Sequence, residues 1–161
     1  VDALPLAGSE LPDLVLMIAG KVKKGSEDYW ARIEAKIGTA DPSVPVRAWI
    51  AHVPDSEIEL YYEAADVAVL PYTDIFQSGV LSLAFGFGLP VVATDVGALA
   101  EDVIEGETGY VCRPRDPADL ARALVTYFGS QLYFDRADAR ARIMGRARAI
   151  TIATYSRVAS T

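Results

Sequence analysis

Gln77-Ser78-Gly79-Val80 is a short turn between two apolar segments. Val67–Leu70 precedes it, and an apolar stretch of helical length follows. The first turn of a helix carries backbone N–H groups without intrahelical partners, and its dipole favours negative charge. Ser78 and Gly79 let the backbone come close to a ligand, so the layout fits a phosphate site. Val80, Leu81, Leu83, Ala84 and Phe87 are expected to form the helix face that buries against a sheet. The same spacing also fits a strand–turn–helix unit in which Ser78 is an ordinary cap and nothing binds. A second loop, Thr94–Gly97, follows the apolar run Pro90–Ala93. Ligands of open α/β sheets sit outside the carboxyl ends of strands, and both loops lie at such ends.

Two further strand ends offer candidates. Lys21 follows the run Leu14–Ala19 and Gly20, with Lys23 and Lys24 beyond it. Lys21 could face a bound phosphate, or the three lysines could form a solvated basic turn. His52 is the single histidine and follows the run Val46–Ala51. It reads as a surface or hydrogen-bonded structural residue, or as a site residue by its place at a strand end. No Ser, Cys or Asp can be paired with it from spacing, so a catalytic triad is not arguable. Cys112 is the single cysteine and lies in a short apolar run, which predicts a buried strand thiol. One cysteine and one histidine allow neither an internal disulfide nor a Cys/His metal cluster.

These residues need elements to hold them. Val1–Pro12 reads as the tail of a helix weakened by Pro5 and Gly8, and Leu14–Ala19 as a strand covered on both faces. Ser26–Ile37 is a predicted helix, capped by Ser26, with Trp30, Ile33 and Ile37 on its core face. Val46–Ala51 is the next strand. Asp55 or Ser56 is expected to cap the helix that follows, Ser56 and Glu59 matching a capping box, with Ile58, Tyr61, Tyr62 and Ala65 buried. After the central segment come a short helix over Ala98–Glu105, a turn over Gly106–Gly109, and a brief strand Tyr110–Cys112. Asp116 and Pro117 mark a helix start. That helix runs to about Phe128 on Leu120, Ala121, Leu124, Val125 and Phe128.

Arg136–Ile150 is expected to be helical, anchored by Ile143 and Ile150. Arg136, Arg140, Arg142, Arg146 and Arg148 read as a solvated face, with an acidic membrane surface as the alternative. Thr154–Thr161 has the look of a last helical turn. Alternation of strands and helices implies one domain over residues 1–161: an α/β fold with an open parallel sheet and helices on both faces.

Composition excludes several classes. The chain is 52% hydrophobic and 23% charged, as expected of a globular α/β domain with a core. Its net charge of −7 argues against a general nucleic-acid binder. No apolar run reaches the roughly 18–20 residues needed to span a bilayer. No G-x-G-x-x-G follows Leu14–Ala19, which argues against a dinucleotide oxidoreductase. Gly86 and Gly88 fall late in a helix and are better explained by packing.

The runs ADVAVLPY, SGVLSLAFGFGLPVVATDVGALAEDV and EGETGYVCRPRDPADLARAL resemble the C-terminal half of GT-B glycosyltransferases, and most closely the retaining family 4. Gly88–Asp116 is the specific part. The resemblance implies a Rossmann-like domain that binds a nucleotide-diphosphate sugar. It implies that the loop Ala51-His52-Val53 lies beside the base, and that Gln77-Ser78-Gly79-Val80 faces the diphosphate and sugar. The family usually carries two glutamates in this segment. An ungapped match from Pro71 to Pro90 puts Ile75 and Leu83 in their places, with Asp74 or Gln77 as candidate substitutes for the first. The QSGVL variant resembles a subgroup, so loss of activity does not follow. The family's domain opens with a further strand and a basic loop, and is preceded by an acceptor-binding domain. The chain is therefore expected to be a fragment of a longer enzyme, lacking that first strand and inactive alone.

The expected function is donor binding for transfer of a hexose to a glycan, lipid-linked or small-molecule acceptor. Neither a cofactor nor a metal is expected, and the expected location is the cytoplasm or the inner face of the membrane. A non-catalytic nucleotide-binding or regulatory subunit is one alternative. A GT-B-like sugar-nucleotide epimerase is another, with Asp95, Glu101 and His52 as the acid–base candidates.

Overall fold

The computed structural model describes residues 1–40, 42, 44–74 and 78–146. Strands and helices alternate as α1 (Leu4–Gly8), β1 (Leu16–Ala19), α2 (Glu27–Gly38), β2 (Val46–Trp49), α3 (Asp55–Ala64), β3 (Ala68–Leu70) and α4 (Gly79–Gly86). They continue as β4 (Val91–Thr94), α5 (Leu99–Asp102), β5 (Gly109–Cys112), α6 (Pro117–Phe128) and α7 (Gln131–Phe134). A helix over 136–146, here α8, reaches the limit of the described residues. Arg148, Ile150 and Thr154–Thr161 lie outside them.

Every strand pairing is parallel, as the alternation implies, but the sheet is divided. β1 pairs with β2, Leu16 opposite Val46 through Ala19 opposite Trp49. β4 lies between β3 and β5, with Leu70 opposite Ala93 and Thr94 opposite Cys112. No described strand bonds to both β1 and β3, so the expected single open sheet is a pair and a triplet.

β4 is the centre of the core, with all four residues buried. Successive strand side chains point to opposite faces. Val92 shares a cluster with Ala7 of α1 and Ala3 just ahead of it, and with Ala121, Leu124 and Tyr127 of α6. Val91 and Ala93 share another with Leu81, Ala84 and Phe85 of α4, Leu99 of α5 and Ile143 of α8. Helices therefore cover both faces of this triplet.

The caps separate confirmed starts from corrected ones. Asp116 accepts the Asp119 N–H at 3.0 Å with Pro117 in the first turn, as predicted for α6. Ser26 occupies the N-cap of α2, but its side chain makes no cap bond. Pro54, not Asp55 or Ser56, is the N-cap of α3, and no side chain caps it. The capping box does not form because Ser56 is already inside the helix. The expected core faces of α2 (Trp30, Ile33, Ile37) and α3 (Ile58, Tyr61, Tyr62, with Ala65 just beyond) are only half-buried. The predicted Ala98–Glu105 helix is confined to Leu99–Asp102.

Two glycines are required by close approach. At Gly88, φ is +67° and a Cβ would stand 2.6 Å from the Arg140 carbonyl oxygen on α8. Packing thus accounts for Gly88, whereas a Cβ at Gly86 would meet nothing. At Gly109, a Cβ would overlap the Val91 carbonyl across the β4–β5 ladder.

Candidate functional site

The candidate residues stand at the carboxyl ends of the parallel strands. β3 leaves the sheet at Pro71, which has no N–H to offer the ladder. The chain returns as α4, whose N-cap is Ser78. The Ser78 hydroxyl accepts the Leu81 N–H at 3.3 Å, so the ordinary cap function is present. The Gly79 and Val80 N–H groups belong to the same first turn, outside the helix ladder. Among the described residues, a Cβ at Gly79 would meet nothing within 4 Å.

The buried face of α4 differs from the expected one. Leu81, Ala84 and Phe85 are its buried residues, whereas Val80 and Leu83 are 42% and 38% exposed and Phe87 is half-buried. Three residues sit well inside because the helix crosses β4 on the Leu81–Ala84–Phe85 side. Val80 and Leu83, one turn apart, form an accessible apolar edge beside Ser78. Asp74 is exposed, and Gln77 and Ile75 lie outside the described residues.

Lys21 is exposed and lines a shallow hollow of about 230 Å³ with Lys23, Tyr29, Trp30 and Ile50. The hollow sits where β1 and β2 end and α2 begins. Ala51 and His52, just beyond β2, are exposed, and Val53 is half-buried. Ser78 does not line this hollow, so the structure does not bring Lys21 and Ser78 into that one pocket.

Several other chemical groups are structural. Cys112 is buried, with its thiol 3.5 Å from the Ala93 carbonyl, and burial pushes its pKa up to about 11. A thiol so held is not a nucleophile at neutral pH. The Tyr127 hydroxyl donates to the Asp66 carbonyl at 2.6 Å, and burial raises its pKa well above the usual phenol range. Asp119 accepts from Arg122 Nε at 2.6 Å and from the Arg113 backbone N–H at 2.8 Å. These bonds hold its carboxyl well below the usual range, the Arg122 bond first. The arginines of α8 do not form one solvated face. Arg140 donates to the Ala65 carbonyl at 2.9 Å and the Tyr62 carbonyl at 3.3 Å, closing the end of α3. Arg146 pairs with Glu107, and Arg136 lies over the Tyr133 ring.

Thr94, in the second of the two loops at strand ends, makes a contact that its spacing does not predict. At the end of β4 it is 3% exposed, and its hydroxyl donates to the Tyr72 carbonyl at 2.6 Å. A threonine ending an otherwise apolar run is the signal that could have marked it.

With this geometry the class is defined: an α/β domain carrying a capped helix start at a parallel strand end. A family model described as "Glycosyl transferases group 1" matches residues 1–129, and the chain belongs to that family. It is 33% identical over 125 residues to a glycogen synthase of Mycobacterium tuberculosis, covering 77% of this chain and 28% of that protein. It is 36% identical over 95 residues to D-inositol 3-phosphate glycosyltransferase 2 of Catenulispora acidiphila, covering 58% of this chain and 21% of that protein. The chain thus spans about a quarter of the curated relatives it matches. Among solved structures, the C-terminal domain of a glycosyl transferase group 1 family protein of Francisella tularensis has a TM-score of 0.72 at 19% identity. That match covers 96% of this chain and 76% of the other. Anabaena HepE in complex with UDP has a TM-score of 0.73 at 22% identity, covering 99% of this chain and 44% of that one. These likenesses establish the Rossmann-like GT-B C-terminal fold expected from the sequence.

Proposed function

We propose that the chain is the donor-binding part of a hexosyltransferase with two domains. The observation that carries this reading is the start of α4. Its serine-capped N-terminus stands beside the end of β3, and no described residue would meet a Cβ at Gly79 within 4 Å. The fold is that of a protein whose structure holds UDP. The donor's diphosphate would meet the Ser78–Val80 N–H groups, which act as fixed dipoles toward the charge developing on the leaving group. Lys21 would add positive charge, and Ala51-His52-Val53 would flank the base. Asp74, Gln77 and Leu83 would contact the sugar side. Leu83 and Ile75 cannot hold hydroxyls as glutamates do, so the sugar and ribose would be gripped by other groups. Retention at the sugar carbon follows from the family resemblance. No metal or cofactor is assigned to the step.

The acceptor would be held by a second domain ahead of this one, because transfer needs both reactants fixed in one geometry. This chain alone would then bind donor without transferring it. Among the described residues no helix is long and apolar enough to cross a membrane. The cytoplasm is the location proposed, and the exposed Arg136 and Arg142 could meet an acidic inner membrane face.

Titration calorimetry with UDP, GDP and their sugar conjugates tests the reading. Saturable binding is expected, lost in Ser78→Trp with the melting temperature kept. Absence of binding both in this chain and in a longer protein containing it would overturn the donor-site reading. Donor binding without transfer by that longer protein would leave a regulatory nucleotide-binding subunit. Interconversion of the donor's sugar would identify an epimerase.

A further inference from the structure

We infer that Thr94 is the positioning residue of the Ser78 turn, acting through the Tyr72 backbone and phenol. The inference rests on the donor-site reading above for its functional consequence. Its geometry stands independently.

Thr94 and Thr108 are the buried polar residues among those described. Thr108 is satisfied locally, its hydroxyl oxygen accepting the Ile104 N–H at 2.8 Å. Thr94 instead reaches across the sheet. Its hydroxyl lies 2.6 Å from the Tyr72 carbonyl and 3.3 Å from the Leu70 carbonyl, and its one proton goes to the nearer. The register pairs Leu70 with Ala93, so Pro71 falls opposite Thr94. Pro71 cannot donate to β4, and the backbone ladder stops there. The Thr94 side chain therefore extends the link between β3 and β4 by two residues past the last ladder pair.

Those residues lead to the site. The Tyr72 phenol is half-buried against the cluster containing Leu81 and Ala84. The Ser78 hydroxyl points at the phenol oxygen from 3.5 Å, the outer limit of a hydrogen bond, while accepting the Leu81 N–H. Thr94, Tyr72, Ser78 and the first turn of α4 thus form one chain of contacts from the core to that turn. Valine would fill the same volume in β4 but leave the Tyr72 carbonyl without this donor. The hydroxyl is needed for the chain of contacts, and the methyl for packing.

The test compares Thr94→Val, Thr94→Ser and Tyr72→Phe in the 161-residue chain. Amide hydrogen exchange at Leu81 is measured against Leu124 on α6, and UDP affinity by calorimetry. In Thr94→Val, Leu81 exchange is expected to rise about tenfold over Leu124, and UDP to bind about tenfold more weakly. Thr94→Ser is expected to restore both to within about threefold, and Tyr72→Phe to give a smaller change in the same direction. Equal acceleration at Leu81 and Leu124 in Thr94→Val would mean only general destabilisation and would overturn the inference. A serine variant as impaired as the valine variant would also overturn it. If neither the wild-type chain nor a longer protein containing it binds UDP or GDP, but Leu81 exchange still responds to the hydroxyl, positioning stands and the donor reading fails.

Discussion

The segment from β1 to α3 and the segment from β3 to α6 repeat one plan, parallel strands joined by helices, and bury it to different depths. α2 and α3 contain no buried residue, and β1 alternates between half-buried and exposed. In the other segment β4 is buried throughout, and α4 and α6 carry buried rows. The strands are comparably apolar: Leu16-Met17-Ile18-Ala19 against Val91-Val92-Ala93-Thr94. The difference lies in what covers them. β4 has a strand on either side and residues of α1, α4, α5, α6 and α8 in the clusters on its faces, whereas β1 has one strand partner. Burial is set by the number of neighbours, because apolar surface leaves water only where another element lies against it. The candidate turn at Ser78 is attached to the deeper segment, and Lys21 and His52 to the shallower one. The proposed diphosphate turn thus stands beside the more deeply buried strands, and the proposed base-side loop at the end of a less buried one.

The contrast is broken most strongly at glycine. Gly109→Ala forces a Cβ into the Val91 carbonyl, and a loss of about 3 kcal/mol or more is expected in urea unfolding. Gly38→Ala, at the end of α2 where a Cβ meets nothing, is expected to be neutral or to stabilise by up to about 1 kcal/mol. Equal losses at the two sites would erase the distinction. Truncation gives a contrast of comparable size. Leu89→Ala, at a residue 1% exposed, should cost about 2–5 kcal/mol, and Ile33→Ala on the half-buried face of α2 no more than about 1.5. Thermal unfolding of the two variants side by side reads this directly.

The smallest effect is electrostatic. Asp119 has a folded pKa below its unfolded value, through Arg122 and the Arg113 N–H. Its contribution is therefore complete above the unfolded pKa and is lost as pH falls through the folded one. Stability should decline below about pH 5 by this route, and Asp119→Asn should flatten that limb of the pH profile. An unchanged acid limb in the variant would show that the Arg113–Asp119–Arg122 group contributes nothing at this exit of β5.

Local signals were legible where the chemistry is local. Asp116-Pro117 marks a helix start because cap and proline act within one turn, and Ser78 caps α4 for the same reason. The Ser56–Glu59 match failed because Pro54 starts α3 one residue before Asp55, leaving Ser56 inside it. Periodicity placed Ala121 and Leu124 on the inner face of α6 but missed Ala123 and Tyr127, and in α4 it placed Leu81 and Ala84 but missed Phe85. In α4 nearly every position is apolar, so the sequence does not mark which side meets β4.

The order of elements, their parallel pairing and the family were determined by sequence alone, through hydrophobic runs, turn residues and the motif from Gly88 to Asp116. Tertiary structure decided what no run of residues can carry. It divided the sheet into a pair and a triplet, turned Val80 and Leu83 outward, and drew Arg140 onto the end of α3. It also joined Thr94 to Tyr72 across 22 residues. Contacts between distant segments depend on which surfaces meet once the chain has packed, and a residue's own type and near neighbours do not hold that information.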